Sequence, residues 1–446
     1  MGLEMLITNG TVVTMEEPNR LIGDGALHIE GDQIADLGST ADLVDRYPTA
    51  PRLDAGGKLV LPANICAHTH FYGAFARGMA LSGPPPSNFV ERLQKLWWRL
   101  DRALTWEDIR YSALVCLAEA IRHGTTTLFD HHASPGAIDG SLDIIAEAVQ
   151  QACLRACLCY EVTDRNGETG MYAGIRENSR FIQKARREGN DLLTGTFGLH
   201  ASLTLSDRSL RACQKAARDL EVGFHIHVAE DKADQKNSLK KSGRRVVERL
   251  EEEGVLGPQT IAAHGVHLDA YEMDSLRSTR TLVTHQPRSN MNNAVGTAPV
   301  EALLNRKVCV GLGNDGFSND MFQEMKATYL VHKLARHDPR AMPADRVMQM
   351  AYANNAQIAS QFFPRPLGKL TAGACADVIL LDYVPPTPLT AENLPWHVIF
   401  GIDGSYVTHT ICAGRLLMED RRLLTLDEEE IGAKARERAR IVWARL

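Results

Sequence analysis

LPANICAHTH, residues 61–70, is an apolar run that ends in two histidines separated by one residue. Alternate residues of a β-strand point to the same side, so the imidazoles of His68 and His70 can reach one metal ion together. A parallel barrel places all of its strand ends on one face, where barrel enzymes carry out their chemistry. Eight apolar runs in this chain end in polar residues, which include His68, His70, His200, His227 with Glu230, His264, His285 and Asp315.

The middle of the chain alternates strand-like and helix-like segments. Helical patterns lie between most of the strand-like runs, for example at residues 106–124, 141–153 and 207–221. Eight such units are the number that closes a (β/α)8 barrel, so we predict an α/β protein with a TIM barrel at residues 61–365. The strand-like runs are LVLPANICAHTH (59–70), TTTLFDHH (125–132), RACLCYEV (155–162), TGTFGLHA (194–201), VGFHIHVAE (222–230), TIAAHGVH (260–267), TLVTHQP (281–287) and VCVGLGND (308–315).

The two ends of the chain share a different texture. Short apolar runs broken by Gly and Asn turn signals fill residues 1–60, and the same pattern returns after residue 366. We therefore predict a small composite β-sandwich domain built from residues 1–60 and 366–446. Its last stretch, LDEEEIGAKARERARIVWARL (426–446), has an acidic start and an arginine-rich end, the polarity that a helix dipole favours.

A long insertion follows the first barrel strand, from Gly73 to Thr105. It contains SGPPPS (82–87) and the pair Trp97–Trp98. Long loops on the active face of a barrel commonly form lids or pocket walls, and we expect this one to do so.

Composition excludes several classes of function. The chain has 446 residues, 23% charged residues and a net charge of -6, which offers nucleic acid or an anionic membrane no basic surface. No apolar run approaches the roughly 20 residues of a membrane helix, and the N-terminus lacks a signal-peptide pattern. The nine cysteines form no CxxC pair, which predicts reduced thiols in a cytoplasm. The group Cys153, Cys157 and Cys159 is interpreted as buried thiols.

The strand ends provide the ligands of a metal site. Three imidazoles and one carboxylate suit zinc and leave an open position for water. His68, His70 and Asp315 are the first candidates, because a carboxylate at a barrel mouth is costly to bury unless it is paired or coordinated. His227 ends the fifth run, but His225 lies two residues earlier, and the strand pattern alone leaves both open. We predict one divalent metal ion per chain, Zn²⁺, with Fe²⁺ as the alternative.

This set of residues is typical of a hydrolase. A bound Zn²⁺ lowers the pKa of its water to about 7, so hydroxide is available near neutral pH. Asp315 can take the proton of that water and deliver it to a leaving group. Glu230 can protonate a ring nitrogen of the substrate, and His264 can donate to the developing oxyanion. We therefore predict Glu230, His264 and Asp315 as catalytic residues.

These motifs resemble the amidohydrolase superfamily, in the branch that holds guanine, S-adenosylhomocysteine and triazine deaminases or chlorohydrolases. The resemblance implies that His68, His70, His227 and Asp315 bind one metal ion, which selects His227 over His225. It also implies Glu230 as the acid. Two-metal members carry a lysine on strand four, and TGTFGLHA has none, so the resemblance is to the one-metal type. The matching segments are LPANICAHTH (61–70), GLHASLT (198–204), HIHVAED (225–231), AAHGVHL (262–268) with HQPRSN (285–290), and GLGNDG (311–316).

A narrower resemblance is to the SsnA-type aminohydrolases, which are associated with purine-catabolic gene sets. GNDG stands where GTDG is common and HQPRSN where HCPTSN is common, so the pocket beside His285 differs from that of many deaminases. The resemblance is carried by HFYGAFARGM (70–79), WWRLDRAL (97–104), DHHASP (130–135), TDRN (163–166), RSNMNN (288–293) and DMFQEMK (320–326).

Four residues are predicted to bind substrate. His200 matches the strand-four histidine of the family, and Arg77 could bind a carbonyl or carboxylate as a planar fork. Trp98 could stack on a flat ring, and Gln286 could read amide edges. The alternatives are a loop salt bridge for Arg77 and helix packing for Trp97 or Trp98. Arg165 has the same two interpretations as Arg77, Asn290 could bind substrate or hold a loop, and His131 and His132 are interpreted as structural, His332 and His337 as solvated.

The leading prediction is an aminohydrolase that deaminates an N-heterocyclic, purine-like small molecule through a metal-activated hydroxide and releases ammonia. The same site could open a cyclic amide or remove chloride by hydrolysis. A non-catalytic metal-binding scaffold is the third alternative, and it would be indicated by a missing ligand or acid. We expect no nucleic-acid or membrane partner. The family resemblance implies a homodimer or a larger homo-oligomer.

Overall fold

The computed structural model describes residues 4–81 and 83–446. Within these residues no helix combines the length and apolar character needed to cross a membrane. The strands of this part of the chain are β1 (Glu4–Val13), β2 (Leu21–Glu30), β3 (Gln33–Ser39), β4 (Arg52–Asp54), β5 (Leu59–Pro62), β6 (Asn64–Thr69), β7 (Thr125–His132), β8 (Arg155–Tyr160), β9 (Leu193–Gly195), β10 (Phe197–Ala201), β11 (Phe224–Val228), β12 (Ile261–His264), β13 (Leu282–His285), β14 (Val310–Leu312), β15 (Val378–Leu381), β16 (Val407–Cys412), β17 (Arg415–Glu419) and β18 (Arg422–Leu423).

Helices occupy most of the connections between the central strands. Three of them, at Trp106–Arg122, Ser141–Ala152 and Asp207–Asp219, match the helical patterns of the sequence. The α-helices are α1 (Thr40–Arg46), α2 (Phe89–Arg92), α3 (Trp98–Ala103), α4 (Trp106–Arg122), α5 (Ser141–Ala152), α6 (Gly167–Glu188), α7 (Asp207–Asp219), α8 (Lys232–Ser242), α9 (Val246–Glu252), α10 (Ala270–Ser278), α11 (Pro287–Asn293), α12 (Val300–Asn305), α13 (Met321–Arg336), α14 (Ala344–Met348), α15 (Asn355–Ala359), α16 (Leu394–Gly401) and α17 (Glu428–Ala444).

The central strands form two parallel sheets, one of four strands (β6-β7-β8-β9) and one of five (β10-β11-β12-β13-β14). A single backbone bridge joins the sheets at each edge. Thr69 pairs with Asp315 at one edge and Val162 with Leu199 at the other. Parallel pairing points all of these strands the same way, so their carboxyl ends gather on one face.

Two runs that the sequence predicts as single strands are each divided. LVLPANICAHTH contains β5, which belongs to the terminal sheet, and β6, which belongs to the four-stranded central sheet. TGTFGLHA contains β9 and β10, which lie in different central sheets. In each case one residue between the two strands, Ala63 or Thr196, lies outside both of them.

Both ends of the chain contribute to one nine-stranded sheet. Its order is β18-β17-β16-β15-β5-β1-β2-β3, with β4 paired to β1. A buried apolar cluster lies on it and draws on both ends of the chain, including Leu27 and Ile34 from the first and Val378 and Ile411 from the second.

The C-terminal helix α17 packs against α4 and α3. Its N-cap residue is Asp427, whose side chain accepts a hydrogen bond from the backbone N–H of Glu430. Farther along, Arg438 Nε donates to Asp108 Oδ1 on α4 at 2.7 Å. Trp443 Nε1 donates to the carbonyl of Phe75 at 2.8 Å, which holds the segment that follows His70.

Candidate active site

The imidazoles of His70 and His227 meet at the carboxyl ends of their strands. Their Nε2 atoms are 3.2 Å apart. Nδ1 of His70 donates to the carbonyl of His131 at 2.5 Å, and Nδ1 of His227 donates to the carbonyl of His200 at 2.7 Å. A neutral imidazole has one donor, so both Nε2 atoms present lone pairs to each other.

Asp315 adds a third acceptor to this pair. Its Oδ1 lies 2.9 Å from His70 Nε2 and 3.6 Å from His68 Nε2, which has no hydrogen-bond partner within residues 4–81 and 83–446. Lone pairs and a carboxylate oxygen repel one another unless a cation lies among them. The donor set of three imidazoles and one carboxylate suits a zinc-type ion, so these four residues fit a metal centre.

Six ligand-type residues surround this position. Their donor atoms form two overlapping groups, each with all atoms within 4.8 Å of one another. His68, His227, His264 and Asp315 make one group, and His68, His70, His131 and His227 make the other. His225 belongs to neither group. Its Nε2 lies 2.8 Å from His68 Nδ1, so it is placed to orient the ligand imidazole rather than to coordinate.

Three residues near the centre have left-handed backbone conformations. Ala229, His264 and Asp315 have φ angles of 48°, 73° and 57°, which non-glycine residues adopt rarely and often at functional sites. The backbone N–H of His264 donates to Gln286 Oε1 at 2.9 Å, and its Nδ1 lies 2.8 Å from Asn290 Oδ1. The ring of His264 is therefore held with Nε2 toward the cluster.

Two carboxyl groups flank the centre, and their pKa values are shifted in opposite directions. Burial raises the pKa of Glu230, which accepts from Asn293 Nδ2 at 3.1 Å and lies 3.5 Å from His264 Nε2. Burial acts in the same direction on Asp315, but the neighbouring imidazoles of His68 and His70 hold the pKa of its carboxyl well below the usual range. Such a divided pair is what an acid and a base in one site require.

A cavity opens beside these residues, and His70, His227, Glu230 and Asp315 line it. Part of the cavity wall comes from the insertion after β6, through residues such as Trp98 and Asp101, as the sequence predicts. Arg165 Nη2 donates to Asp101 Oδ2 at 2.6 Å, and the guanidinium lies over the ring of Trp98, 4.8 Å from the centroid. Tyr72, His200 and Glu161 also line the cavity.

The structure places the predicted substrate residues differently. His200 and Trp98 line the cavity. Arg77 does not: both of its terminal nitrogens bind Glu119, at 3.0 and 2.8 Å, which is the loop salt bridge. Gln286 is fully buried, and its amide is used by the backbone of His264 and by Thr284 Oγ1, so it is directed at His264 rather than at the cavity.

The structure agrees with only some of the predictions for the remaining histidines, which are His131, His132, His332 and His337. His132 Nε2 bonds Ser134 Oγ at 2.9 Å, a structural contact. His131 has no side-chain hydrogen bond within the described part of the chain. His337 is exposed as predicted, whereas the prediction for His332 was wrong: it is buried, with Nε2 3.3 Å from His285 Nε2. His332 lies in helix α13 and meets His285 at the end of strand β13, and this packing buries its side chain.

The cavity residues missed by sequence reasoning include Asp101 and Glu161. Glu161 is 2% exposed, and burial raises the pKa of its carboxyl to about 8. It ends the run RACLCYEV just as histidines end the other runs, so the same rule could have found it. Asp101 lies in a helix of the insertion, where no sequence pattern marks it. Of the clustered cysteines, Cys157 and Cys159 are buried and Cys153 is partly exposed.

Comparison with known proteins places the chain in a family. A model of the amidohydrolase family matches residues 59–417. The chain is 33% identical over 448 residues to a 5'-deoxyadenosine deaminase of Methanosarcina mazei, with 99% of both chains covered. It is 34% identical over 450 residues to a 5-methylthioadenosine/S-adenosylhomocysteine deaminase of Syntrophobacter fumaroxidans, with 98% of both covered. The chain therefore belongs to the amidohydrolase family, which confirms the resemblance in its motifs.

The fold agrees with a solved structure. An adenosine deaminase from Xanthomonas campestris with bound zinc matches with a TM-score of 0.87 at 24% identity, with 99% of each chain covered. At this identity the likeness concerns the fold, and it confirms an amidohydrolase-type α/β architecture.

Proposed function

We propose that this protein is a metal-dependent aminohydrolase that removes ammonia from a purine-like nitrogen heterocycle. The observation that carries the proposal is the cluster of acceptor atoms on His68, His70, His227 and Asp315, next to the buried acid Glu230. The curated relatives, which are named as deaminases of adenosine derivatives, support the same reaction class.

The chain's own residues divide the chemistry. His68, His70, His227 and Asp315 would hold a divalent ion, and such an ion would lower the pKa of a bound water to near neutral. The pKa of Asp315 is held low, so its carboxylate is charged and would accept the proton of that water, while Ser289 Oγ donates to its Oδ2. Burial raises the pKa of Glu230, which favours its protonated form, and the side chain lines the cavity, where it can protonate a ring nitrogen. His264, with Nδ1 turned to Asn290, donates from Nε2 in its protonated form.

The finer features of the molecule are part of the same proposal. We take the ion as a single Zn²⁺, with Fe²⁺ as the alternative, because no lysine lies in the strand-four run that would bridge a second ion. The backbone bridges at both edges of the central sheets support closure into a (β/α)8 barrel over residues 61–365. The shared cluster on the terminal sheet supports a composite β-sandwich domain from residues 1–60 and 366–446. The homo-oligomer, the cytoplasmic location and the narrower SsnA-type resemblance stay predictions.

The test is ammonia release by the zinc-loaded protein across amino-purines, pterins, amino-pyrimidines and triazines, with ring absorbance followed in parallel. Ammonia with the ring retained is the expected result. Loss of ring absorbance without prompt ammonia would indicate ring opening, and chloride release from chlorotriazines would indicate a chlorohydrolase. Metal binding without turnover of any compound would contradict the deaminase proposal.

A further inference from the structure

The side chain of Tyr72 lies between a proposed metal ligand and the insertion that covers the cavity. Tyr72 follows His70 by two residues, belongs to the short 3₁₀ helix Phe71–Ala76, and lines the cavity with 6% of its surface exposed. Its ring makes edge contacts with the rings of His70 and Trp97, whose centroids are 5.4 and 6.1 Å away. A third edge contact, at 6.0 Å, is with His132 at the end of β7. Rings from three parts of the chain thus fix the position of the phenol.

The hydroxyl of Tyr72 lies among the polar groups of the cavity. Within residues 4–81 and 83–446 it forms no hydrogen bond. The charged groups close enough to act on it all line the same cavity, and they are the carboxyls of Glu161, Asp101 and Asp315 and the guanidinium of Arg165. The hydroxyl therefore lies between Asp315, at the candidate metal centre, and the Asp101–Arg165 ion pair.

A buried hydroxyl without a partner is unfavourable. Tyrosine hydroxyls usually find a hydrogen-bond partner when they are buried, and an unmet polar group costs about 1–3 kcal/mol. Packing does not require an oxygen here, because the same short helix buries Phe71 and Phe75, 0% and 4% exposed, with rings that carry no polar atom. The partner of the Tyr72 hydroxyl is therefore left to come from what fills the cavity.

The chemistry of a phenol determines which partner it suits. A phenol has a pKa of about 10 and is therefore a neutral donor near pH 7. The acceptors that an N-heterocycle offers to such a donor are ring nitrogens and ring carbonyl oxygens. Because the ring of Tyr72 packs against His70, a residue of the candidate metal centre, the hydroxyl is placed to meet the reacting ring rather than a distant substituent.

We propose that the Tyr72 hydroxyl is a substrate contact that donates a hydrogen bond to an acceptor atom of the reacting ring, either a ring nitrogen or a carbonyl oxygen. The inference rests on the proposed function and adds a specificity-determining residue to it. A ring that carries the acceptor is selected over an isosteric ring with C–H in that place, because C–H leaves the buried hydroxyl unpaired.

The test deletes one oxygen atom. Tyr72→Phe keeps the aromatic ring and removes the hydroxyl, and Tyr271→Phe, at a residue 63% exposed, is the matched control. The substrate found in the ammonia-release panel is compared with its deaza and deoxo analogues, each of which lacks one ring acceptor. We expect kcat/KM of the substrate to fall about tenfold in Tyr72→Phe, mainly through KM, and not in Tyr271→Phe. One analogue should be about tenfold poorer for the wild type and should change by less than about threefold in Tyr72→Phe.

Each outcome decides the inference. A kcat/KM of the substrate within about threefold of wild type in Tyr72→Phe, or an equal fall for the substrate and every analogue, would overturn it and leave the deaminase proposal intact. If no compound releases ammonia, calorimetric titration of adenine, guanine and pterin into the zinc-loaded proteins replaces kinetics. Weaker binding to Tyr72→Phe then upholds the contact without the deaminase, and equal binding or none overturns it. If Tyr72→Phe does not fold, a wild type that treats the substrate and all analogues alike overturns the inference, and a preference of about tenfold over one analogue upholds it.

Discussion

Replacing Glu230 by Gln tests the division of labour in the site. Glutamine has the same shape, and its amide oxygen can still accept the 3.1 Å hydrogen bond from Asn293. Glu230 belongs to neither group of clustered ligand atoms, so metal content should not change. What the variant loses is the proton that Glu230 carries to the substrate. General acid catalysis contributes about 10²–10⁴ in rate, or about 3–5 kcal/mol of barrier.

We therefore expect Glu230→Gln to hold metal at the wild-type stoichiometry and to lose at least about 100-fold in kcat with little change in KM. The assay is ammonia release at saturating substrate, with metal content measured by mass spectrometry on the same sample. Glu147→Gln, an exposed position, is the control for the loss of one carboxylate. Turnover within about threefold of wild type would refute the acid role. Loss of metal would show that Glu230 is a ligand.

Three further predictions concern metal, packing and pH. His68→Ala should weaken metal binding by more than about 100-fold, measured by chelator competition, and the exposed His337→Ala should not; equal affinities would remove His68 from the site. Asp377→Ala leaves the buried Arg155 without its carboxylate and should lower the free energy of unfolding by about 3–5 kcal/mol in denaturant titrations; a loss below about 1 kcal/mol would contradict this. Burial raises the pKa of Asp234 from 3.8 to about 7, so the folded protein keeps a proton there that the unfolded chain has lost, and stability should fall as pH rises across that interval. Asp234→Asn cannot ionise and should show a shallower fall of the thermal midpoint between these pH values; an unchanged slope would assign the pH dependence elsewhere.

Strand-end residues were accessible to sequence reasoning because they follow a local rule. Alternation along one strand places His68 and His70 on the same side, and the parallel order of strands brings Asp315 to them although it lies 245 residues after His70. The rule is independent of how the chain packs elsewhere. The same rule would have found Glu161, since that residue directly follows strand β8.

Side-chain partners depended on packing across elements. Arg77 and Arg165 carry the same group in comparable loops, yet Arg77 binds Glu119 while Arg165 turns to Asp101 in the cavity. Gln286 follows a strand end, but its amide is taken by the backbone of His264. A sequence pattern does not show which neighbour binds an arginine guanidinium or a glutamine amide, because those neighbours lie far away in the chain.

The sequence by itself determined the strand-end candidates for a metal site, the alternating α/β architecture and the family, because each depends on short-range periodicity or on motifs that persist in one stretch of chain. The tertiary structure decided that β5 and β6 belong to different sheets and that His225 Nε2 lies 2.8 Å from His68 Nδ1, outside both groups of clustered ligand atoms. It also decided which side chains line the cavity, among them Asp101 and Glu161. These outcomes depend on which distant backbone and side chains each residue meets, and those neighbours are set only when the strands and helices have packed.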